Sequence, residues 1–180
     1  SRPSGSLAGR TLEFATALWE RGDIDGIVTG PLSKETLNAA GYRYPGQTEM
    51  LTKATGSHEA LMLMLSGPLR IALATIHLPL RRVPSALTKE RLVRAIGLFT
   101  AALRADFGFR QPRIAVLGLN PHAGEGGLLG TEERDVIIPA IRAARRREAI
   151  ISGPCPADGF FGSGARDRYD GILAMYHDQG

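Results

Sequence analysis

Apolar positions along this chain alternate between helical spacing and short continuous runs. Helical spacing first appears from about Leu7 to Trp19, closed by Gly22, and a short apolar run at Ile24–Val28 then predicts a strand. Ser33 is placed to cap a second helix that ends before Gly41, and Thr48 to cap a third that ends near Gly56. The runs Leu61–Leu65 and Ile71–Thr75, bounded by Gly67-Pro68 and Pro79, read as buried strands. The longest predicted helix covers Thr88 to Arg104, with Leu92, Ile96, Phe99 and Leu103 as its buried stripe. Ile114–Leu119 is the clearest strand. Thr131 is placed to cap another helix, with Glu132 and Glu133 in its first turn and Val136, Ile137, Ala140, Ile141 and Ala144 on its inner face. Ile172–Met175 reads as a last short strand. The alternation predicts an α/β fold with a mostly parallel or mixed sheet flanked by helices. No repeat or low-complexity linker divides the chain, so residues 1–180 are treated as one unit with any internal boundary left open.

Composition narrows the class. The chain has 180 residues, 43% of them hydrophobic and 22% charged, enough apolar surface for a core and too much for a disordered segment. The formal net charge of +4 is modest and partly local, since Arg142, Arg145, Arg146 and Arg147 crowd one helix end, where cations complement the helix dipole. Basic charge without an interleaved aromatic motif argues against nucleic-acid binding. No apolar run is long enough to span a bilayer and no signal peptide is visible, so a cytoplasmic location is expected. Cys155 is the only cysteine; it sits between Pro154 and Pro156, in an expected turn, and reads as a structural free thiol suited to a reducing compartment. The chain begins at Ser1 and stops at Gly180 directly after a dense polar motif, and both ends read as cuts.

The polar motifs fall just after the strands. Thr29-Gly30-Pro31 follows the first, His77 follows Ile71–Thr75, Asn120-Pro121-His122 follows Ile114–Leu119, and His177-Asp178-Gln179 follows the last. Ligands of open α/β sheets bind beyond the carboxyl ends of strands, so three of the four histidines stand where a site is expected. From position alone they are either metal ligands or hydrogen-bonding loop residues. Three imidazoles with an open coordination position are a catalytic arrangement, and imidazole suits several metals alike. His58 precedes a strand and reads as a surface residue.

The glycine-rich loop Gly124–Gly130 matches neither dinucleotide nor P-loop spacing. Glu132 and Glu133 stand at the following helix start, where they would repel an anion, so the glycines read as letting the backbone pass close to the metal site. The Ser33-Lys34 helix start is the better anion site, with an ordinary capped helix and a solvated lysine as the alternative. Asp158 and Asp178 are either carboxylates that orient metal-bound histidines or ordinary loop acids.

Taken together, six stretches resemble the 4-hydroxythreonine-4-phosphate dehydrogenase family of pyridoxal phosphate biosynthesis. They are Val28-Thr29-Gly30-Pro31-Leu32-Ser33-Lys34-Glu35, Tyr44-Pro45-Gly46-Gln47-Thr48-Glu49, Thr75-Ile76-His77-Leu78-Pro79-Leu80, Leu119-Asn120-Pro121-His122-Ala123-Gly124-Glu125-Gly126-Gly127, Gly153-Pro154-Cys155-Pro156-Ala157-Asp158 and Ala174-Met175-Tyr176-His177-Asp178-Gln179-Gly180. The resemblance runs over nearly the whole chain, in order. It implies an isocitrate/isopropylmalate-dehydrogenase-like fold, a homodimer, and an active site in a cleft at the dimer interface. It places the three metal-ligand histidines on His77, His122 and His177, drawn from both subunits so that His177 serves a metal held by the partner's His77 and the partner's His122. It places two active-site aspartates on Asp158 and Asp178, and a substrate-binding His-Thr pair on Gln47 and Thr48.

The implied reaction oxidises the secondary alcohol of 4-phosphohydroxy-L-threonine with NAD or NADP and a divalent metal (Zn, Mg or Co), then decarboxylates the 3-oxo acid to 3-amino-2-oxopropyl phosphate. Gln47 departs from the family's usual histidine; glutamine keeps a donor and an acceptor but cannot become cationic near neutral pH. A related dehydrogenase of another hydroxy acid, such as a threonate-type phosphate or a dihydrodiol carboxylate, is therefore a rival reading. Family members also carry segments before and after the region matched, so the chain reads as the central portion of a two-domain dehydrogenase. An inactive fragment that keeps only the metal loops is a second rival, and a metallohydrolase with Glu125 as its base is a third.

Overall fold

The computed structural model describes residues 2–44, 46–57, 59–145 and 149–180. The chain divides into two compact units, Ser1–Ala60 and Leu61–Gly180.

The first unit is helical. α1 (Arg2–Glu20), α2 (Lys34–Ala39) and α3 (Gln47–Ala54) pack around Leu12, Leu37 and Met50. Gly5 faces the Thr36 carbonyl and Gly9 faces the Tyr42 ring so closely that a β-carbon at either would collide, which is how α1 lies against α2. Ser33 caps α2 as expected, its Oγ accepting the Thr36 N–H at 3.3 Å. α3 starts two residues earlier than expected: Gly46 is the cap and Thr48 lies inside the first turn. The expected strand at Ile24–Val28 does not form; the backbone there runs irregularly and Val28 is fully exposed. Its apolar residues suit a strand, but among the described residues of this unit no strand offers a ladder, and an unpaired strand leaves its N–H and C=O groups unmet.

The second unit is an α/β layer structure. β1 (Leu63–Ser66) and β2 (Leu69–Leu73) form an antiparallel hairpin. A short helical turn at Leu80–Arg82 and α4 (Val83–Ala86) lead into α5 (Lys89–Ala105), which Thr88 caps by accepting the Arg91 N–H. β3 (Arg113–Leu117), α6 (Ile138–Ala144), β4 (Ile150–Cys155), α7 (Ala157–Gly162) and β5 (Gly171–Ala174) complete it. The five strands run in the order β1-β2-β5-β3-β4, all parallel except β1, so the expected mixed sheet is present.

Strand alternation sends side chains to both faces, and both faces are covered along the parallel strands, whereas β1, expected to be buried, leaves Met64 and Leu65 exposed at the sheet edge. Ala72, Ile114, Val116 and Leu173 meet the α5 stripe of Leu92, Ile96, Phe99 and Leu103 and the α6 face of Ile137, Ala140, Ile141 and Ala144. Ile71, Leu73, Ala115, Leu117 and Ile172 meet Phe160 on the other side, with Phe161 and Tyr169 against them. Every α5 stripe residue read from the sequence is buried, although α1, at 19 residues against 17, is the longer helix. β4 was not expected. Gly153-Pro154 interrupts its apolar run, and the β3–β4 register shifts between Ala115 and Leu117, where Gly153 lies against the Val116 carbonyl. Cys155 therefore ends a strand opposite Leu117 rather than sitting in a turn.

Arg146, Arg147 and His58 lie outside the described residues. Among the described residues no helix is long and apolar enough to cross a membrane.

Candidate functional site

The parallel strands β2, β3 and β5 end side by side, and each delivers a histidine loop: His77 after β2, His122 after β3 and His177 after β5. The His77 and His177 rings lie with centroids 5.7 Å apart. Two imidazoles bound to one ion through nitrogens ~2.0–2.1 Å away have ring centres on the order of 5 Å apart, somewhat closer than this pair. His177 Nδ1 pairs with Asp178 Oδ1 at 2.8 Å, which leaves Nε2 for a ligand role. This pairing occurs within one chain, whereas the resemblance implies ligands drawn from two subunits. His122 is exposed and does not complete the set: among the described residues no three His, Cys, Asp or Glu side chains converge to hold a metal.

Buried polar bonds stitch the three strand ends together. Thr75, 1% exposed, donates its hydroxyl to the Met175 carbonyl at 2.7 Å and joins the β2 end to the β5 end. Gln179 accepts the Met175 N–H through Oε1 at 2.6 Å and donates Nε2 to the Gly118 carbonyl at 2.5 Å, joining the β5 end to the β3 end. Glu133, 4% exposed, accepts the backbone N–H groups of Leu119 and Asn120, each at 2.7 Å, through Oε1. Its Oε2 accepts Asn120 Nδ2 at 2.9 Å.

The stitched loop is conformationally costly. His122, Ala123, Gly124, Glu125 and Gly126 all have φ between 43° and 80°, a left-handed turn in which three residues are not glycine. Each such residue costs ~1–2 kcal/mol relative to right-handed backbone. Gly124 takes a left-handed φ of 80° and also brings its α-carbon against Glu133, where a β-carbon would stand 2.6 Å from Oε2. Gly130 likewise leaves room for the Asn120 side chain, which donates to Glu132 Oε2 at 2.7 Å. The glycines thus let the backbone close on Glu133 and Asn120, not only pass a metal site.

Glu133 departs from the expectation that both acids stand at a helix start and repel anions, because its carboxylate is buried on backbone donors instead. That start is a widened turn over Glu133–Ile137, without a side-chain cap from Thr131, before α6 proper. Sequence reasoning missed the role although a signal was present. Extending the inner-face positions Ile137, Ala140, Ile141 and Ala144 back by four residues lands on Glu133.

Asp158 is exposed in the first turn of α7, directly after β4, at the same carboxyl end of the sheet. Cys155 is held above its ordinary thiol pKa by burial, so it is a poor nucleophile, as a structural cysteine would be. In the helical unit, Lys34 and Gln47 line a small cavity of about 50 Å³ together with Tyr42, Tyr44 and Met50. Gln47 Nε2 donates to the Gly30 carbonyl at 3.3 Å, tying the Thr29-Gly30-Pro31 loop to α3. Thr48 sits beside Gln47 on the first turn of α3, its carbonyl accepting the Thr52 hydroxyl at 2.7 Å. The structure brings Lys34 and Gln47 to one cavity, but that cavity is far smaller than the ~300–1,000 Å³ of a small-molecule site. A cavity of about 560 Å³ lies at the opposite end of the sheet, lined by Arg70, Arg113, Tyr169 and Asp170.

A mixed α/β sheet with histidines on adjacent strand ends places candidate ligand-binding side chains at the carboxyl edge of its parallel strands, where sites of this fold class lie. The chain belongs to the family described as Pyridoxal phosphate biosynthetic protein PdxA, which matches residues 1–180. It is 45% identical over 178 residues to the 4-hydroxythreonine-4-phosphate dehydrogenase of Bacteroides thetaiotaomicron, covering 98% of this chain and 49% of the relative. It is 48% identical over 188 residues to that of Caulobacter vibrioides, covering 99% of this chain and 56% of the relative. The crystal structure of the Klebsiella pneumoniae enzyme of the same name superposes with a TM-score of 0.94 at 41% identity, over 100% of this chain and 55% of that one. A terephthalate 1,2-cis-dihydrodiol dehydrogenase from Burkholderia xenovorans superposes with a TM-score of 0.77 at 31% identity, over 100% of this chain and 57% of that one. The isocitrate/isopropylmalate-dehydrogenase-like fold expected from the resemblance is borne out. The chain spans about half the length of the curated relatives it matches.

Proposed function

We propose that this chain supplies the metal-binding half of an NAD(P)-linked dehydrogenase that oxidises 4-phosphohydroxy-L-threonine. The observation that carries the reading is the placement of His77, His122 and His177 at neighbouring strand ends of a chain of this family, with Asp178 on Nδ1 of His177. His77, His122 and His177 hold the divalent ion (Zn, Mg or Co), the set being completed when two copies associate as a homodimer. A divalent ion held there would supply a Lewis acid that lowers the pKa of a secondary alcohol, and a bound nicotinamide nucleotide would supply the hydride acceptor. Asp178 fixes the tautomer of His177 and is the group beside it able to relay the alcohol proton to solvent. Asp158 stands on the same side of the sheet as a second carboxylate. Lys34, Gln47 and Thr48 bind the substrate through its phosphate or its carboxylate, Lys34 by charge and Gln47 as a neutral donor. Loss of carbon dioxide from the 3-oxo acid, with one proton taken up, completes the conversion to 3-amino-2-oxopropyl phosphate. The enzyme acts as a cytoplasmic protein.

The test is a zinc or cobalt titration of the 180-residue protein, with reduction of NAD by the substrate followed alongside. One divalent ion per chain is expected, lost on His77→Ala, His122→Ala or His177→Ala, with NAD reduced only by the metal-loaded protein. Metal binding unchanged by all three substitutions would sink the reading. Metal binding without nucleotide binding would instead make this chain a metal-holding fragment.

A second substrate reading rests on Gln47 and on the likeness to the dihydrodiol dehydrogenase. It predicts that a dihydrodiol carboxylate or a threonate-type phosphate is turned over faster than 4-phosphohydroxy-L-threonine, and that Gln47→His reverses the order.

A further inference from the structure

We propose that Glu133 is the positioning residue of the His122 loop, its buried carboxylate holding the left-handed turn that presents the imidazole. Every hydrogen bond that Glu133 makes is an accepted one, and the Glu132 carboxylate shares one of its donors, Asn120 Nδ2. Oε1 takes the Leu119 and Asn120 N–H groups and Oε2 takes Asn120 Nδ2. These three bonds fall on Leu119 and Asn120, the second and third residues after β3, immediately before Pro121 and His122. A carboxylate is acceptor-only, so it alone among side chains of this length meets all three donors without presenting one of its own. Such charge-assisted bonds are about twice as strong as neutral ones, and here they are removed from water.

The left-handed turn explains why an anchor is needed. Three non-glycine residues in that conformation store on the order of 3–6 kcal/mol relative to ordinary backbone, and the turn persists only where its surroundings fix it. Glu133 fixes both sides of it. It grips the entry at Leu119 and Asn120 and abuts Gly124 within the turn. Asn120, gripped in turn by Glu132 and Glu133, packs against Gly130 at the exit. Without the carboxylate the segment relaxes toward right-handed backbone, and the imidazole of His122 leaves its position.

The consequence for metal binding rests on His122 being a ligand, whereas the anchoring itself does not, and the experiment separates them. The 180-residue protein, Glu133→Gln, Glu133→Ala and His122→Ala are compared by cobalt(II) titration, by the visible cobalt spectrum, and by amide exchange at Leu119 and Asn120. Losing a group that orients a ligand typically costs ~10–100-fold in metal affinity. Glu133→Ala is expected near the top of that range. Glu133→Gln recovers part of the loss, because its single oxygen still accepts the two backbone N–H groups while its amide opposes Asn120 Nδ2. Both variants exchange faster at Leu119 and Asn120, and both shift the cobalt spectrum, which a general loss of stability would not do. If Glu133→Ala fails to fold, Glu133→Gln carries the test alone. Wild-type exchange at both amides in Glu133→Gln, or wild-type cobalt affinity and spectrum where His122→Ala has lost both, overturns the proposal. If His122→Ala binds cobalt as wild type does, the metal reading fails and the exchange rates alone decide the anchoring.

Discussion

The two ends of the central sheet are held by opposite means. At the carboxyl end, the histidine loops are tied by buried bonds to backbone from Thr75, Gln179 and Glu133. At the amino end, Arg113 and Asp170 pair across β3 and β5 at the surface, with the Arg113 side chain 48% exposed. Arg70 lies beside them with its guanidinium 4.9 and 5.0 Å from the Phe107 and Phe109 rings. A buried bond is modest while it is made and expensive to break, because its partner cannot turn to water; an exposed pair is modest either way. The carboxyl end is therefore rigid where a metal would demand fixed ligands, and the amino end tolerates change.

Gln179→Ala should break that contrast hardest. It removes the acceptor of the Met175 N–H and a donor to the Gly118 carbonyl at once. Two desolvated backbone groups left without partners cost about 2–4 kcal/mol. Urea unfolding reads this directly, and a change under ~0.5 kcal/mol would mean that the two strand ends are not joined there. Thr75→Val should cost less, about 1 kcal/mol, because the substitution keeps shape and volume. The Met175 carbonyl also keeps the Thr75 N–H as a donor at 3.1 Å. A loss from Thr75→Val equal to that from Gln179→Ala would show that the hydroxyl, not the amide, is the main tie.

Much of this was legible in the residues. The α5 stripe, the Ser33 cap and the strand-end placement of the histidines follow from apolar period and polar punctuation. Three features were hidden for physical reasons. The Ile24–Val28 run has the composition of a strand, but composition does not supply a neighbour to pair with. β4 was masked by Gly153-Pro154, residues that ordinarily end strands but here sit at a register shift. Glu133 was read as a helix-start acid that repels anions because charge outweighed period; the period was the better guide to its burial. The candidate site was legible as a set of positions, while the bonds that hold those positions depend on which loops meet in space.

Asp170 sharpens the comparison through pH. Partial burial alone would raise its carboxyl pKa, but Arg113 outweighs this. Oδ2 accepts the Arg113 N–H at 2.7 Å and Nε at 3.3 Å, and Oδ1 accepts Nη2 at 3.1 Å, with the Arg70 charge adding to them. The net effect holds Asp170 below the ordinary carboxylate value of ~3.9. A depressed folded-state pKa means that the unfolded chain takes up the proton first. The pair's contribution is thus fully present above the ordinary value and is lost as pH falls through the lower, folded one. Asp170→Asn should therefore be less stable than wild type near neutral pH, with the gap closing as pH drops below about 4. Unfolding midpoints across that range check it. A gap that stays constant with pH would mean that the carboxylate acts only as a hydrogen-bond acceptor, and that the amino end, like the carboxyl end, is held by geometry rather than by charge.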